Sequence, residues 1–329
     1  MREFEYVRPA TVEQAIELVS GEPGAAYLAG GTTLVDLMKD GVLRPRRVVD
    51  VTRLPLRDLT HADHSVTVGA LTTMEELAAD PVLADRVPVL REALLAGASP
   101  QLRNMATIGG NLLQRARCRY FRDPTVGACN KRNPGTGCAA VDESARMHAI
   151  LGAGAGCIAL HASDLAVALV ALDAVVRLQG TSGPRRVPLT EFYRIPGGSP
   201  ERENVLERGD LITAVEIPLP APGTVSAYLK IRDRASYEFA LVSVAAAVDL
   251  RDGVIQNARM ALGGVGTIPW RAYTAEDVLN GARPESGLFR DAAVAELHDT
   301  FTVPGTEFKV ELARRTIERA LSTVSGGVS

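Results

Sequence analysis

The sequence predicts an α+β chain, with alternating strands and helices first and a separate α+β domain after them. Three observations carry this reading. Helix-period and strand-period segments alternate up to about residue 100. PLPAPG, residues 218 to 223, puts three prolines into six residues and marks a boundary. Beyond it, three strand-like runs follow one another, the last two joined by Asp252-Gly253, a strong hairpin signal. The predicted division is 1–220, followed by 221–329.

In order along the chain, TVEQAIELV opens with Thr11 and Gln14 in capping-box spacing and places Val12, Ile16 and Val19 on one helical face. AAYLAGG reads as a short buried strand breaking into a glycine turn, and RRVVDV as a second strand. SVTVGA alternates, and Thr73 with Glu76 then caps a helix over MEELAAD. From 101 to 157 the periodicity collapses. An irregular stretch of that length inside a compact domain is either disordered or held by something other than a hydrophobic core. In HASDLAVALVALDAVVRLQG, Ser163 is a candidate N-cap, the helix runs to about Leu172 and a strand follows. RRVPLTEFY and DLITAVEIPLP continue as strand and turn. The last domain is expected to hold three antiparallel strands, in VSAYLKIRDR, FALVSVAAAVDL and VIQNARMALGGV, and two helices near 274–281 and 307–321.

Composition excludes several classes. The chain has 329 residues, 46% hydrophobic and 23% charged, with a net charge of -3, so nothing argues for nucleic-acid binding. No run is long and apolar enough to span a membrane. MREFEYVRPATVEQ lacks the apolar centre of a signal peptide, which makes a cytoplasmic location the expectation from the chain itself. No G-x-S-x-G and no carboxylate pair of the hydrolase type is present, and the five histidines form no metal spacing.

Four features carry candidate chemistry. Ala29-Gly30-Gly31-Thr32-Thr33-Leu34 ends a strand in two glycines and two hydroxyls, a pattern that turns the backbone sharply and aims N–H groups at an anion. A plain strand-to-helix turn would look the same. Thr107-Ile108-Gly109-Gly110-Asn111 repeats the theme, and two such loops in one unit suggest a long ligand with a pyrophosphate. All four cysteines, Cys118, Cys129, Cys138 and Cys157, lie in one segment with ten, eight and eighteen residues between them. That spacing disfavours a zinc ribbon and suits one looping segment wrapped around a cluster; unrelated buried thiols are the alternative. Arg115, Arg117, Arg119, Arg122, Lys131 and Arg132 crowd the same segment. They could stabilise a negatively charged [4Fe–4S] centre or dock an acidic partner. Finally, Lys230 and Arg232 flank Ile231 on a strand that faces either a cleft or solvent, and Asp164 is either a first-turn helix acid or an acceptor for a sugar hydroxyl.

YLAGGTTLVDLMKDGVLRP and QLRNMATIGGNLLQ resemble the flavin-binding subunits of the molybdenum hydroxylase (xanthine dehydrogenase) family. CRYFRD, CNKRNPGTGCAA, HAILG and HASDLAVALVALDAVV, with KIRDRASYEFALVSVAAAV and ALGGVGTIPWR, resemble its periplasmic aldehyde oxidoreductase subgroup, whose flavin subunit carries an extra [4Fe–4S] cluster. The likeness runs nearly end to end. It implies a vanillyl-alcohol-oxidase-type (PCMH) FAD fold of two α/β subdomains, about 1–60 and 61–220, with the cluster-bearing insertion at 115–160, plus a CO-dehydrogenase-flavoprotein C-terminal domain. It also implies a heterotrimer, in which a large subunit holds the molybdenum cofactor and a small subunit holds two [2Fe–2S] clusters. This chain would pass electrons to an external acceptor, and no side chain in it need act as a catalytic acid, base or nucleophile. By position, Ala29 to Leu34, Thr107, Gly110 and Asn111 would hold the FAD pyrophosphate. Asp164 would lie near the ribityl chain, Lys230 and Ile231 near the isoalloxazine, and the four cysteines would ligate the cluster. The resemblance also admits a periplasmic location, through export on a partner's signal. A stand-alone flavin oxidase or reductase, or a zinc-stapled assembly protein, are the competing readings.

Overall fold

The computed structural model describes residues 1–327. Its first sheet is parallel, with β1 (Glu5–Val7), β2 (Ala25–Leu28) and β3 (Arg47–Asp50) in the order β1-β3-β2. Parallel neighbours need crossover connections, and the helices Val12–Ser20 and Leu34–Lys39 supply them. Thr11 accepts a hydrogen bond from the Gln14 N–H at 3.2 Å, as the cap spacing requires. Ala15, Ile16 and Val19 pack with Val49, Val51 and Leu54 to form a small core of their own.

The second sheet is antiparallel throughout. It takes β4 (Leu59–His61), β5 (Ser65–Gly69), β6 (Val175–Gly180), β7 (Gly183–Pro188) and β8 (Leu211–Pro218) in the order β4-β5-β8-β6-β7. Thr73 and Glu76 form a complete capping box on the helix Met74–Ala78. The helix Asp164–Ala171 is capped by Ser163, and every residue in it after Asp164 is buried. A helix that is apolar all round must be covered all round. Here the helix Pro88–Ala96 lies against it on one side, and the third sheet lies on the other.

That third sheet holds four strands, where the sequence suggested three: β9 (Val225–Ile231), β10 (Val242–Arg251), β11 (Val254–Gly263) and β12 (Trp270–Arg271), in the order β12-β11-β10-β9. The added strand is two residues long, too short to show an alternation. Three helices pack on the sheet rather than two: Tyr273–Leu279, Ser286–Glu296 and Phe308–Val324. Asp252 and Gly253 form a two-residue hairpin turn with φ of 52° and 72°, the positive pair that a twist-compatible turn demands. Arg271 is buried, pairs with Glu276, and donates to Asp173 at 2.8 Å and to the Val170 carbonyl at 2.6 Å. It thereby pins the end of the central helix to this sheet.

The stretch read as irregular contains four single-turn helices: Pro100–Arg103, Ile108–Leu112, Arg119–Arg122 and Ala139–Asp142. None is long enough to display a helical period. Two small apolar clusters hold the cysteine segment, one around Leu37, Phe121 and Ala159, the other around Tyr120, Ala140 and Ile158.

Candidate functional site

Two cavities meet at Thr32 and Thr33. The first, of about 940 Å³, is lined by the whole of Ala29 to Leu34 together with Thr107 and Gly110. The second, of about 990 Å³, is lined by Asn111, Asp164 and Lys230 among others. The two glycine loops touch directly: a Cβ at Gly30 would stand 1.8 Å from the Met105 carbonyl oxygen, just before the second loop begins. Thr107 caps the short helix Ile108–Leu112, its hydroxyl accepting from the Gly110 N–H at 3.2 Å. The Asn111 side chain bridges Ser163 at 2.5 Å and the Met74 sulfur at 3.3 Å, which ties the second loop to the N-terminus of the central helix.

Asp164 and Lys230 form a buried pair at 2.8 Å. The Tyr228 hydroxyl donates to the other Asp164 oxygen at 2.6 Å, and Lys230 also donates to the Ala96 carbonyl at 3.1 Å. Burial, with Asp164 beside it, pushes the Tyr228 phenol well above its ordinary range. Ile231 lines neither cavity; successive strand residues point to opposite faces, and its carbonyl accepts the Leu241 N–H at 2.8 Å.

Several residues line the cavities that the sequence reading did not place there: Arg115 and Arg117, read only as cations beside the cysteines, and Arg234, Tyr237 and Phe239. Tyr237 has φ of 53°, a left-handed conformation uncommon for an aromatic residue, and is largely exposed. Arg117 is stacked over Phe239 at 5.3 Å and reaches Asp36 at 3.0 Å, while its Nε is buried without a partner among the described residues. An orphaned buried donor on a cavity wall fits a cavity that receives a polar ligand.

The four cysteines are free thiols that line one small pocket together. Cys129 and Cys138 face each other across an antiparallel bridge, and Cys157 lies in a second tight turn with Gly154. A hydrogen bond from the Cys157 thiol, helped by the N–H groups of Ile158, Ala140 and Val141, lowers Cys138 to about 6; Cys157 is correspondingly raised. Burial pushes Cys118 up to about 11. The His148 Nε2 lies 3.2 Å from the Cys118 sulfur. Among the described residues, no group of three or more His, Cys, Asp or Glu side chains is arranged to hold a metal ion.

Most of the nearby cations are consumed internally, so they do not form the free basic surface that an acidic partner would need. Arg117 and Arg122 share Asp36. Arg115 and Lys131 converge on Glu203 at 2.5 and 3.0 Å and, against a burial penalty that raises it, hold Glu203 below its usual range. Arg132 donates to the carbonyls of Tyr120 at 2.8 Å, Phe121 at 2.7 Å and Val126. It fastens the first cysteine turn, so Arg132→Met should loosen that turn by about 2 kcal/mol. Hydrogen exchange of residues 119–133 should then speed up roughly thirtyfold; unchanged protection would show that the clamp carries no weight.

The two-cavity cleft, closed by a glycine-loop pair and a buried Asp–Lys pair, defines a dinucleotide-type cofactor subunit. The FAD binding domain in molybdopterin dehydrogenase matches residues 2–220, and the CO dehydrogenase flavoprotein C-terminal domain matches residues 227–324. The chain belongs to the FAD-binding subunits of the molybdenum hydroxylase family. It is 45% identical to the aldehyde oxidoreductase FAD-binding subunit PaoB of Escherichia coli, over 98% of each chain. It is 28% identical to the glyceraldehyde dehydrogenase medium chain of Sulfolobus acidocaldarius, over 88% of this chain and 86% of that one. In structure it is similar to carbon monoxide dehydrogenase from Hydrogenophaga pseudoflava, with a TM-score of 0.78 and 25% identity, covering 100% of this chain and 99% of that one.

Proposed function

We propose that this chain is the FAD- and [4Fe–4S]-carrying electron-transfer subunit of a molybdenum-dependent aldehyde oxidoreductase. In this reading a large subunit with the molybdenum cofactor oxidises the aldehyde, and a small subunit with two [2Fe–2S] clusters relays the electrons. This chain then delivers them to an external acceptor. FAD supplies the means of taking electrons one at a time and releasing them singly or in pairs.

The chain's own residues bind and orient. Ala29 to Leu34, Thr107 and Gly110 form the first cavity, suited to the pyrophosphate, and Asn111, Asp164 and Lys230 face the second, suited to the ribityl chain and ring. Arg117 Nε is a donor with no protein partner among the described residues, available to a cofactor oxygen.

One observation carries the redox reading furthest. Consecutive residues line the two sites: Arg117 lines the flavin-side cavity and Cys118 lines the cysteine cavity. A single peptide separates them, which favours a cluster in the electron path over a remote structural one. Ten, eight and eighteen residues between the cysteines are not the spacing of a zinc ribbon, which favours a cluster over a single zinc ion.

Cys138→Ser tests this. The variant should lose the broad visible absorption of an iron–sulfur centre while keeping its FAD, and the parent chain should carry iron and sulfide near four each, as a [4Fe–4S] centre requires. Zinc near one per chain would refute the cluster, and an unaltered iron–sulfur spectrum in the variant would show that Cys138 is not a ligand. Aldehyde turnover by the isolated chain with a dye would instead favour a stand-alone flavin enzyme.

A further inference from the structure

His148 lies in the cysteine segment but is not one of the proposed ligands. Its ring is buried, and its Nε2 stands 3.2 Å from the Cys118 sulfur. Among the described residues its Nδ1 has no partner within hydrogen-bond geometry; the Ala145 carbonyl is the other polar group close to the ring, and Nε2 faces Cys118. Tyr120, two residues beyond Cys118, lies with its ring centroid 6.2 Å from the imidazole.

The ring is held from the C-terminal domain. Lys309, on the helix Phe308–Val324, is completely buried, and its ammonium donates to the His148 carbonyl at 2.9 Å and to the Gly264 carbonyl at 2.7 Å. Gly264 follows β11, and the next residue, Val265, accepts the N–H groups of Ile150 and Leu151. The backbone from the His148 carbonyl to Leu151 is therefore anchored to the C-terminal domain. A flexible loop would not hold a nitrogen at one sulfur; this arrangement does.

We propose that His148 is a positioning residue that donates a hydrogen bond from Nε2 to the Cys118 sulfur and so raises the reduction potential of the [4Fe–4S] centre. This rests on the cluster reading above. A ligating cysteine is a thiolate and carries no proton, so a 3.2 Å contact with nitrogen requires the hydrogen to sit on Nε2. An N–H donated to a cluster sulfur withdraws electron density and favours the more negative, reduced state, and hydrogen bonds to the sulfurs are one of the protein's means of setting cluster potentials. Lys309 acts through His148, by fixing where its backbone lies.

The experiment is an EPR-monitored redox titration of the intact complex, with iron, sulfide and FAD measured on each sample. His148→Leu removes the donor, and His148→Gln keeps a side-chain N–H. The expected result is a cluster midpoint shifted to lower potential in His148→Leu and at least partly restored in His148→Gln, with FAD content unchanged. A midpoint in His148→Leu equal to that of the parent, at full iron content, overturns the proposal. If His148→Leu fails to keep its cluster, His148→Gln should still keep one; loss in both variants shows that the ring serves only packing and equally overturns it. A parent complex without a [4Fe–4S] signal refutes the cluster reading itself, an outcome distinct from the others.

Discussion

Gly30→Ala should leave the chain largely without FAD. The methyl group would stand 1.8 Å from the Met105 carbonyl oxygen and 2.7 Å from its carbon. Neither is the free end of a flexible side chain; both are backbone. Relief requires the turn at residues 29–34 or the loop at 105–110 to move, and both loops line the same cavity. Overpacking of this kind costs about 3 kcal/mol. If that cost falls on the bound state, FAD affinity drops by roughly a hundredfold. Flavin released per chain from purified protein, and the Kd for FAD from fluorescence quenching, measure the effect. Gly287→Ala is the control: no atom lies within 4 Å of the added carbon, and the residue sits in a helix, where alanine is preferred. Wild-type flavin content and affinity in Gly30→Ala would show that the loops do not constrain the cavity as their contact implies.

The same residues show what the sequence made legible. A glycine pair after a buried strand is visible in a string of letters, because both the turn and the close approach exclude side chains. The caps at Thr11, Thr73 and Ser163 were equally visible, since each is a local contact over three residues. The central helix Asp164–Ala171 was readable as buried, yet the sequence did not say that the third sheet covers it. Contacts between segments far apart in the chain were not readable. Arg271 reaches Asp173 across 98 positions, and Lys309 reaches His148 across 161. No spacing rule links such pairs; only the completed fold does.

The cysteine segment shows the limit from the other side. Its aperiodicity suggested either disorder or an anchor other than a hydrophobic core. The structure orders it with one-turn helices, two small apolar clusters, and Arg132 across three carbonyls. Each device is four or five residues long or spans a gap, so none leaves a periodic trace. A cluster, where present, would therefore load into a segment already largely shaped, and this is why Cys138→Ser is expected to spare the flavin. Histidine reading failed here for a related reason. His148 was set aside because the histidines show no ligand spacing, but a hydrogen-bond donor to a ligand needs none.

Lys230→Met should be the most destabilising single change at the site. Lys230 and Asp164 are 4% and 10% exposed in their side chains and meet at 2.8 Å. Asp164 opens the central helix and Lys230 lies on β9, so the pair joins the flavin-binding part of the chain to the third sheet. Forming such a pair gains little over apolar packing, because both charges must leave water. Removing one partner is different, since the remaining carboxylate stays buried with only the Tyr228 hydroxyl at 2.6 Å to solvate it. The expected cost is about 3–5 kcal/mol. For a domain of roughly 200 residues that lowers Tm by about 10 °C. The contrast is Arg186, whose pair with Glu216 is 62% exposed on the arginine side; its replacement by alanine should cost roughly 0–1 kcal/mol. The double variant Asp164→Asn with Lys230→Met should be less damaged than the sum of the two single variants by at least about 1 kcal/mol, because the second change removes the charge that the first had stranded. Thermal unfolding of the four proteins, each with its flavin content measured, decides the point. Strict additivity would mean that the two charges do not sense one another, and the second cavity would then owe its shape to packing alone.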